Sequence, residues 1–314
     1  MTVASSAAQT QEAASPRARL SADLALVAIT AVWGASFVVV KDALVRADPF
    51  VFLALRFAAG ALVATALAAR GLRRPGVLRA GLVLGVFLFL GFSFQTAGLV
   101  YTTEARSAFI TGMAVVLVPL ASFAIFHRLP QPPSMVGVAI AVIGLYILTG
   151  GLSNPAIDAA TTLGDVLTLG CAATFAIHIA LTEKFAPGMP ALALVAVQLW
   201  VVALLGAVCV PLAGARVQWT RDFLAAVLFS GAVSSAGCIA LQTWAQARTT
   251  AVRAALIFAL EPVFATAFAV ALGREQLDGR EVLGGSLTLL AVLVSEVGNG
   301  LWARRMRASG GSER

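Results

Sequence analysis

The chain repeats one 14-residue segment at a constant spacing of 147 positions. Residues 95–108 read QTAGLVYTTEARSA, and residues 242–255 read QTWAQARTTAVRAA. The matching positions in and just beyond these segments are Gln95/Gln242, Thr96/Thr243, Thr102/Thr249, Thr103/Thr250, Arg106/Arg253, Ala108/Ala255, Ile110/Ile257 and Gly137/Gly284. Self-similarity of this kind in a hydrophobic background indicates that a membrane unit has been duplicated.

The composition is typical of a membrane protein. Hydrophobic residues make up 60% of the 314 residues and charged residues only 12%, whereas soluble domains are about half apolar and about a quarter charged. The net charge is +7, but the basic residues are scattered, so no nucleic-acid partner is expected. The three cysteines lack metal-ligand spacing, and no phosphate or dinucleotide loop occurs, so we expect neither a metal site nor a cofactor.

Breaks at proline, glycine and charge clusters divide the chain into ten apolar segments. Each is near the length of about 20 residues that a helix needs to span a bilayer. The predicted spans are 22–41, 49–69, 79–101, 105–126, 134–152, 163–183, 190–212, 222–245, 251–272 and 282–302. We therefore expect an all-α polytopic membrane protein with a first repeat over 22–152 and a second over 163–302. Residues 1–21 are expected to form a disordered cytoplasmic tail, and residues 303–314 a basic cytoplasmic tail.

The distribution of basic residues predicts the orientation. With a cytoplasmic N-terminus, 14 of the 22 Lys and Arg residues lie on the cytoplasmic side, 7 lie on the other side, and Arg56 lies within a span. This excess predicts that both termini are cytoplasmic. Because each repeat has five helices, an odd number, the second repeat must enter the membrane from the opposite side. Two inverted repeats of this kind are the architecture that supports alternating access.

Several apolar blocks follow one family pattern. The first repeat contains VWGASFVVVKDALVRADPFVFLALRF, FITGMAVVLVPL and VGVAIAVIGLYILTG, and the second contains AALIFALEPVFA and LGGSLTLLAVLV. Over about residues 22–302 the chain resembles the EamA repeats of the drug/metabolite transporter superfamily. The resemblance implies a ten-helix bundle in the bacterial inner membrane, with a cavity lined mainly by helices 1, 3, 4, 6, 8 and 9 and with helices 5 and 10 peripheral. It also implies transport, typically export of amino acids, other small metabolites or drugs, although some members import.

Two charged residues within the spans are the first candidates for a site. A charge at the membrane centre costs about 2.5–3.5 kcal/mol and is retained where it faces a cavity or a partner. Glu261, followed by Pro262 in helix 9, has Ala114 as its counterpart. It either lines the cavity as a proton-titrating or cation-contacting carboxylate, or pairs structurally with Arg56 or nearby hydroxyls. Arg56, with Gln198 as its counterpart, either neutralises a substrate carboxylate, anchors packing or snorkels to the interface.

Helices 1 and 6 carry further candidates. Trp33, Phe37 and Lys41 recur every four positions, so they share one face of helix 1. That face either guides the substrate at the outer mouth or anchors the helix at the interface. His178 in helix 6 either relays protons, binds a carboxylate or packs as a neutral, hydrogen-bonded side chain. Glu261 and His178 are therefore the candidates for proton coupling.

Matched polar residues in helices 3 and 8 complete the candidate set. Gln95 and Gln242 occupy equivalent positions, and Thr102 lies on the same stripe as Gln95. These residues either line the cavity or form hydrogen bonds between packed helices. Trp244 would add an aromatic surface on helix 8.

Four charged residues near helix ends are assigned no part in the site. Asp23 and Asp165, 142 positions apart, begin helices 1 and 6, where a carboxylate interacts favourably with the helix dipole. We expect that interaction to be their whole role. Arg106 and Arg253 mark the turns between helices 3 and 4 and between helices 8 and 9, where structural or lipid-headgroup roles are expected.

The sequence predicts a secondary transporter and not an enzyme, because no catalytic set of residues occurs at one depth. Its expected partners are a small-molecule substrate and the lipid bilayer, and a homodimer through the glycines of helices 5 and 10 stays an open alternative. We expect export of amino acids or similar metabolites by alternating access around a central cavity. The alternatives are a multidrug efflux pump for lipophilic cations and a non-transporting membrane scaffold.

Overall fold

The residues that the structure describes form ten helices, three of which are divided into shorter segments. The computed structural model describes residues 16–68, 71–102, 104–127, 129–148, 159–272 and 279–310. The helices are α1 (Pro16–Leu44), α2 (Pro49–Ala68), α3 (Val77–Tyr101), α4 (Glu104–Gly112 and Ala114–Phe126), α5 (Pro132–Leu148), α6 (Ala159–Phe185), α7 (Ala191–Ala213), α8 (Arg221–Leu228, Phe229–Gly237 and Cys238–Gln246), α9 (Ala251–Phe258 and Glu261–Ala271) and α10 (Gly279–Gly310). A short 3-10 helix, Gly71–Arg73, precedes α3.

The helices have the length and composition of membrane spans. Within the described residues, nine of them are long and apolar enough to cross a bilayer, and α5 contributes the shorter apolar stretch Pro132–Ile147. Large apolar side chains such as Leu24, Leu67 and Val208 are exposed on the outside of the bundle, where lipid would surround them. The predicted all-α polytopic fold is confirmed.

Both terminal helices are longer than their predicted spans. Helix α1 begins at Pro16 and α10 continues to Gly310, so residues 16–21 of the tail that was expected to be disordered and residues 303–310 of the basic tail are helical. Apolar composition marks where a helix crosses hydrocarbon, but the helix continues into the interface, where arginine side chains are solvated. Proline is tolerated in the first turn because its missing N–H would have no helical partner there. Residues 1–15 and 311–314 lie outside the described residues.

Helix packing follows the duplication. Helix α2 packs on α7, and α5 packs on α10, so each of these pairs joins equivalent helices of the two repeats. Helix α3 packs on α6 as α8 packs on α1, and α4 packs on α6 as α9 packs on α1. Each of these contacts therefore has a counterpart with the repeats exchanged, which is the pattern of a pseudo-two-fold axis. Five helices per repeat place the second repeat upside down relative to the first.

Helices α4 and α9 are interrupted at equivalent points. Helix α4 breaks at Met113, and α9 breaks at Ala259 and Leu260; positions 113 and 260 are 147 apart. In α9 the cause is Pro262, which has no N–H to donate to the carbonyl of Phe258 four residues earlier. Such breaks place helix ends within the bundle, where polar groups can bind them.

Candidate functional site

A cavity lies at the centre of the bundle. Eight pairs of its lining residues occupy equivalent positions in the two repeats: Trp33/Phe175, Ser36/His178, Phe37/Ile179, Phe92/Ile239, Gln95/Gln242, Thr111/Phe258, Gly112/Ala259 and Ala114/Glu261. The first three pairs are 142 positions apart and the others 147, because Gln198 and Ile239 are separated by five more positions than their equivalents Arg56 and Phe92. The pseudo-two-fold axis therefore passes through the cavity, and both repeats build its wall.

The structure brings most of the candidate residues to this cavity and leaves others outside it. Those that line it are Trp33, Phe37, Arg56, Gln95, His178, Gln242 and Glu261. Lys41, Thr102 and Trp244 do not line it. The lining helices are those that the family resemblance implied, together with α2, which contributes Arg56.

Arg56 is held by α8 and by aromatic rings. Only 3% of the residue is exposed. Its Nε donates to the Ser235 hydroxyl at 2.9 Å, and its Nη2 donates to the Ser234 hydroxyl at 3.2 Å. The guanidinium carbon lies 5.2 Å from the ring centre of Phe57 and 5.0 Å from that of Phe92, close enough for cation–π attraction. Arg56 forms no salt bridge with any described residue, so the structural pairing with Glu261 that the sequence left open is not observed.

Two glycines explain why Arg56 reaches these serines. A side-chain carbon at Gly60 would lie 2.6 Å from the carbonyl oxygen of Gly231, and one at Gly231 would lie 2.5 Å from the carbonyl oxygen of Arg56. Only glycine allows the backbones of α2 and α8 to approach so closely. The contact sets Arg56 directly against the segment that carries Ser234 and Ser235.

That segment of α8 is a π-helix, Phe229–Gly237. A π-helix is rare and often marks a functional position, because its wider turn frees backbone groups for other partners. The carbonyl of Ser234 accepts a hydrogen bond from Trp33 Nε1 at 3.0 Å, and the Ser36 and Ser234 hydroxyls lie 2.9 Å apart. Ser234 and Ser235 were not among the residues predicted from the sequence, although the segment SGAVSSAG, rich in serine and glycine within an apolar span, could have indicated them.

Glu261 opens the second half of α9, immediately after the break. Its position in the first turn places the carboxylate near the positive end of that half-helix, where a negative charge is stabilised. The side chain lines the cavity and forms no hydrogen bond or salt bridge with a described residue. It therefore presents an unpaired acid to the same space that Arg56 lines.

The candidate amides and His178 form hydrogen bonds between helices. His178 Nε2 and Gln198 Oε1 lie 2.9 Å apart, so the counterpart of Arg56 is used to hold α7 against α6. Gln242 donates to Gln246 at 2.8 Å, and Gln246 donates to the carbonyl of Ile179 at 3.0 Å. These residues combine packing with cavity lining, which the sequence analysis treated as alternatives.

Lys41, Thr102 and Trp244 bind groups at helix ends. Lys41 Nζ donates to the carbonyls of Leu99 at 2.5 Å and Thr102 at 2.8 Å, which are free because the last carbonyls of a helix lack helical partners. The hydroxyl of Thr102 donates to Asp165 at 3.2 Å. The Trp244 ring lies 4.3 Å from the guanidinium carbon of Arg248. Sequence periodicity placed Lys41 and Thr102 on stripes with cavity-lining residues, but the ends of those stripes lie beyond the cavity. Trp244, which was expected to add an aromatic surface on helix 8, also lies outside the cavity lining.

Two equivalent ion pairs join the repeats at opposite faces of the bundle. Arg106 at the start of α4 binds Asp165 in the first turns of α6, with Nε 2.7 Å and Nη2 2.5 Å from Oδ2. Arg253 at the start of α9 binds Asp23 in α1 at 2.6 Å and also binds Glu296 of α10. The prediction that the two aspartates serve only the helix dipole is wrong, because each is an ion-pair partner of an arginine in the other repeat.

The central arrangement can bind a small amphipathic solute. It offers one cation, one acid and aromatic rings around a single space, and ligand sites are typically apolar pockets with a few convergent polar groups. Among the described residues, no three His, Cys, Asp or Glu side chains are grouped to hold a metal ion.

Three comparisons with known proteins agree with this architecture. A model of the EamA-like transporter family matches residues 20–150 and 162–296. An uncharacterized transporter of Archaeoglobus fulgidus is 31% identical over 276 residues, which cover 88% of this chain and 86% of that protein. A protein of known crystal structure is similar with a TM-score of 0.73 at 22% identity, over 88% of this chain and 98% of the other. At that identity the likeness supports the fold alone.

Proposed function

The chain belongs to the EamA-like transporter family, and we propose that it is a secondary transporter that exports amino acids or similar small metabolites across the bacterial inner membrane. The observation that carries the proposal is the central cavity on the pseudo-two-fold axis, lined by equivalent residues of both repeats. A site between two inverted halves can be exposed to either side by exchanging the arrangements of those halves. The excess of basic residues on one side supports cytoplasmic termini.

The charges of the cavity favour a zwitterionic solute of amino-acid type. Arg56 provides a positive group, and Glu261 provides a negative group without a protein partner. Aromatic side chains, among them Trp33 and Phe92, surround the space between them. A solute with one carboxylate, one ammonium group and an apolar body would satisfy all three features.

Alternating access requires a closure at each face that can open. The Arg106–Asp165 and Arg253–Asp23 pairs cross from one repeat to the other at opposite faces, so separating the repeats at either face must break one pair. We assign each pair to the closure of its own face. The partly exposed position of the charges keeps the energy of each pair modest, which allows closure to be reversible.

Energy for export is proposed to come from proton exchange at Glu261. His178 was the other candidate, but its ring is hydrogen-bonded to Gln198, whereas Glu261 has no described partner. A carboxylate that faces a cavity within the membrane can bind a proton from one side and release it to the other.

The test is transport by the purified protein in proteoliposomes. Vesicles are loaded with a mixture of the common amino acids, a pH gradient is imposed, and the external medium is analysed by mass spectrometry. We expect one or a few amino acids to leave the vesicles and Glu261→Gln to remove the dependence on the gradient. Asp222→Asn, at a residue whose side chain is 80% exposed, is the matched control and should behave as the wild type. Release of no amino acid would reject the proposed substrate class, and gradient dependence that survives Glu261→Gln would reject the proposed coupling.

The second candidate function is efflux of lipophilic cations. Glu261 and the aromatic rings favour it, since a cation is attracted both to a carboxylate and to ring faces. Arg56 opposes it, because a buried positive charge in the same cavity repels a cation. Resistance of expressing cells to several unrelated cations, lost in Glu261→Gln, would support efflux over amino-acid export.

A further inference from the structure

The cavity contains a buried guanidinium that lacks an acidic partner. Arg56 is 3% exposed and lines the cavity, yet no carboxylate among the described residues lies within salt-bridge distance of it. Buried charges in proteins are normally paired, because removing an ion from water is unfavourable unless an opposite charge or strong hydrogen bonds replace the water. The two serine hydroxyls replace only part of the hydration that the guanidinium loses on burial.

The geometry leaves one edge of the guanidinium available. Arginine has five N–H donors, and the structure uses Nε for Ser235 and one donor of Nη2 for Ser234. The Nη1 donors have no partner among the described residues. A carboxylate can accept hydrogen bonds from two guanidinium donors at once in a bidentate arrangement, which is both stronger and more directional than a single hydrogen bond.

The plane of the guanidinium is fixed before any solute binds. It lies against the Phe57 and Phe92 rings, and these rings are 4.8 Å apart between centres. The close contact of Gly60 with Gly231 fixes the helix that carries Arg56. Fixing a binding group in advance lowers the entropy lost on binding.

We propose that Arg56, oriented by Ser234 and Ser235, is the carboxylate-binding subsite of the solute. The second repeat has Gln198 at the equivalent position, and Gln198 is bound to His178. The cavity therefore has a single subsite of this kind and takes a monocarboxylate, with the solute's cationic end toward Glu261. This inference rests on the proposed function, because it names the part of the solute that the transport cavity recognises.

The experiment measures ligand binding by the purified full-length protein in detergent with three probes of one shape. L-phenylalanine carries both charges, 3-phenylpropionate lacks the ammonium group, and phenethylamine lacks the carboxylate. We expect Arg56→Gln to weaken the binding of both carboxylates by at least about tenfold, the size expected for a lost hydrogen bond to a charged group. Binding of phenethylamine should change by less than about twofold, because this probe has no group for Arg56.

Two further variants protect the test against a folding defect. Arg56→Lys keeps the charge but loses the planar fork, so it should give an intermediate loss for the carboxylates alone. Ser235→Ala keeps the arginine and removes one orienting hydroxyl, and it should weaken the carboxylates by a smaller factor. Size-exclusion profiles and unfolding temperatures identify variants that do not fold, and the comparison then uses those that do.

Each outcome decides the proposal. An equal loss for all three probes would mean that Arg56 only holds α2 against α8. Carboxylate binding that is unchanged in Arg56→Gln, or a wild type that binds neither carboxylate, would also overturn the subsite. Carboxylate binding that depends on Arg56 without amino-acid release from vesicles would leave the subsite standing and reject the proposed substrate class. Amino-acid release that Arg56→Gln does not affect would support the proposed substrate class and reject the Arg56 subsite.

Discussion

Arg106 and Arg253 are equivalent residues of the two repeats, and each binds an aspartate about two turns into a helix of the other repeat. The charges around the cavity are not duplicated in this way, since Arg56 has Gln198 as its counterpart and Glu261 has Ala114. The difference follows from what each feature must do. In the proposed mechanism a closure is needed at both faces, so both repeats need the ion pair. The proposed solute would lie on the axis and contact both repeats at once, so one arginine and one glutamate would be sufficient.

The two closures also differ in detail. On the Arg106 side, a side-chain carbon at Gly98 would lie 2.9 Å from the carbonyl oxygen of Gly164, so α3 and α6 touch through their backbones. The equivalent residues on the other side are Ala245 and Ala22, both buried. The methyl groups of these alanines do not permit the backbone contact that Gly98 and Gly164 allow. The Arg253 side has Glu296 as an additional acid. One closure therefore relies on close packing, and the other on a larger set of charges.

The largest effect is expected from reversing one charge of the ion pair that occurs at equivalent positions in both repeats. Arg106→Asp places two acids together where α4 meets α6, and like charges in contact cost several kcal/mol. We expect transport in vesicles to fall by more than about 100-fold, because that face can no longer close. Asp165→Arg should have the same effect, because it places two positive charges together at the same point. The measurement is the initial rate of solute release from proteoliposomes at equal protein content.

The exchanged pair is the control for this prediction. Arg106→Asp combined with Asp165→Arg restores opposite charges across the same boundary and should recover transport to within about tenfold of the wild type. If the double variant is as inactive as the single ones, the residues do not act as a pair and the assignment of this closure is wrong.

A smaller effect is expected from moving the cavity acid, which is present in only one repeat as Glu261, to the equivalent position of the other repeat. Glu261→Ala should lower the rate for a solute with an ammonium group by about tenfold, the size of a lost charged hydrogen bond. Adding Ala114→Glu places a carboxylate at the equivalent lining position and should recover part of that rate. Ala114→Gln is the matched control and should recover none. A double variant no better than Glu261→Ala would show that the two sides of the axis are not interchangeable for the solute.

The fold and much of the site could be predicted from the sequence. Ten helices follow from ten apolar runs, because each run must satisfy its backbone hydrogen bonds within itself in lipid. Glu261 and Arg56 were recognisable as site candidates because a charge in such a run needs a cavity or a partner. The repeat spacing even identifies Ala114 as a lining residue, through its equivalence to Glu261.

Contacts between distant helices could not be predicted in the same way. Asp23 and Arg253 are 230 positions apart, and no local pattern indicates that one faces the other. The π-helical turn that brings Ser234 and Ser235 to Arg56 depends on the packing of α2 against α8. It could not be predicted from the sequence, because helical periodicity assumes a regular α-helix. Lys41 and Thr102 were misplaced because a stripe gives the direction of a side chain and not the depth at which the cavity ends.

The smallest effect is expected from neutralising one acid of the larger charge cluster. Asp23→Asn leaves Arg253 in contact with Glu296, and Asp23 Oδ1 has no hydrogen-bond partner among the described residues. We therefore expect the apparent unfolding temperature in detergent to fall little, corresponding to about 1 kcal/mol or less. Asp165→Asn should lower it more, because Asp165 accepts hydrogen bonds from both Arg106 and Thr102.

Glu296, the second acid that binds Arg253, tests why Asp23→Asn is expected to have a smaller effect than Asp165→Asn. Glu296→Gln alone should also have a small effect, because Arg253 keeps Asp23. With Asp23→Asn and Glu296→Gln together, Arg253 loses both acids, so the loss should exceed the sum of the single losses by about 1 kcal/mol. Strict additivity would mean that the acids act independently on Arg253. Neither acid would then compensate for the loss of the other. Of the two differences described, close packing alone would then distinguish the two closures.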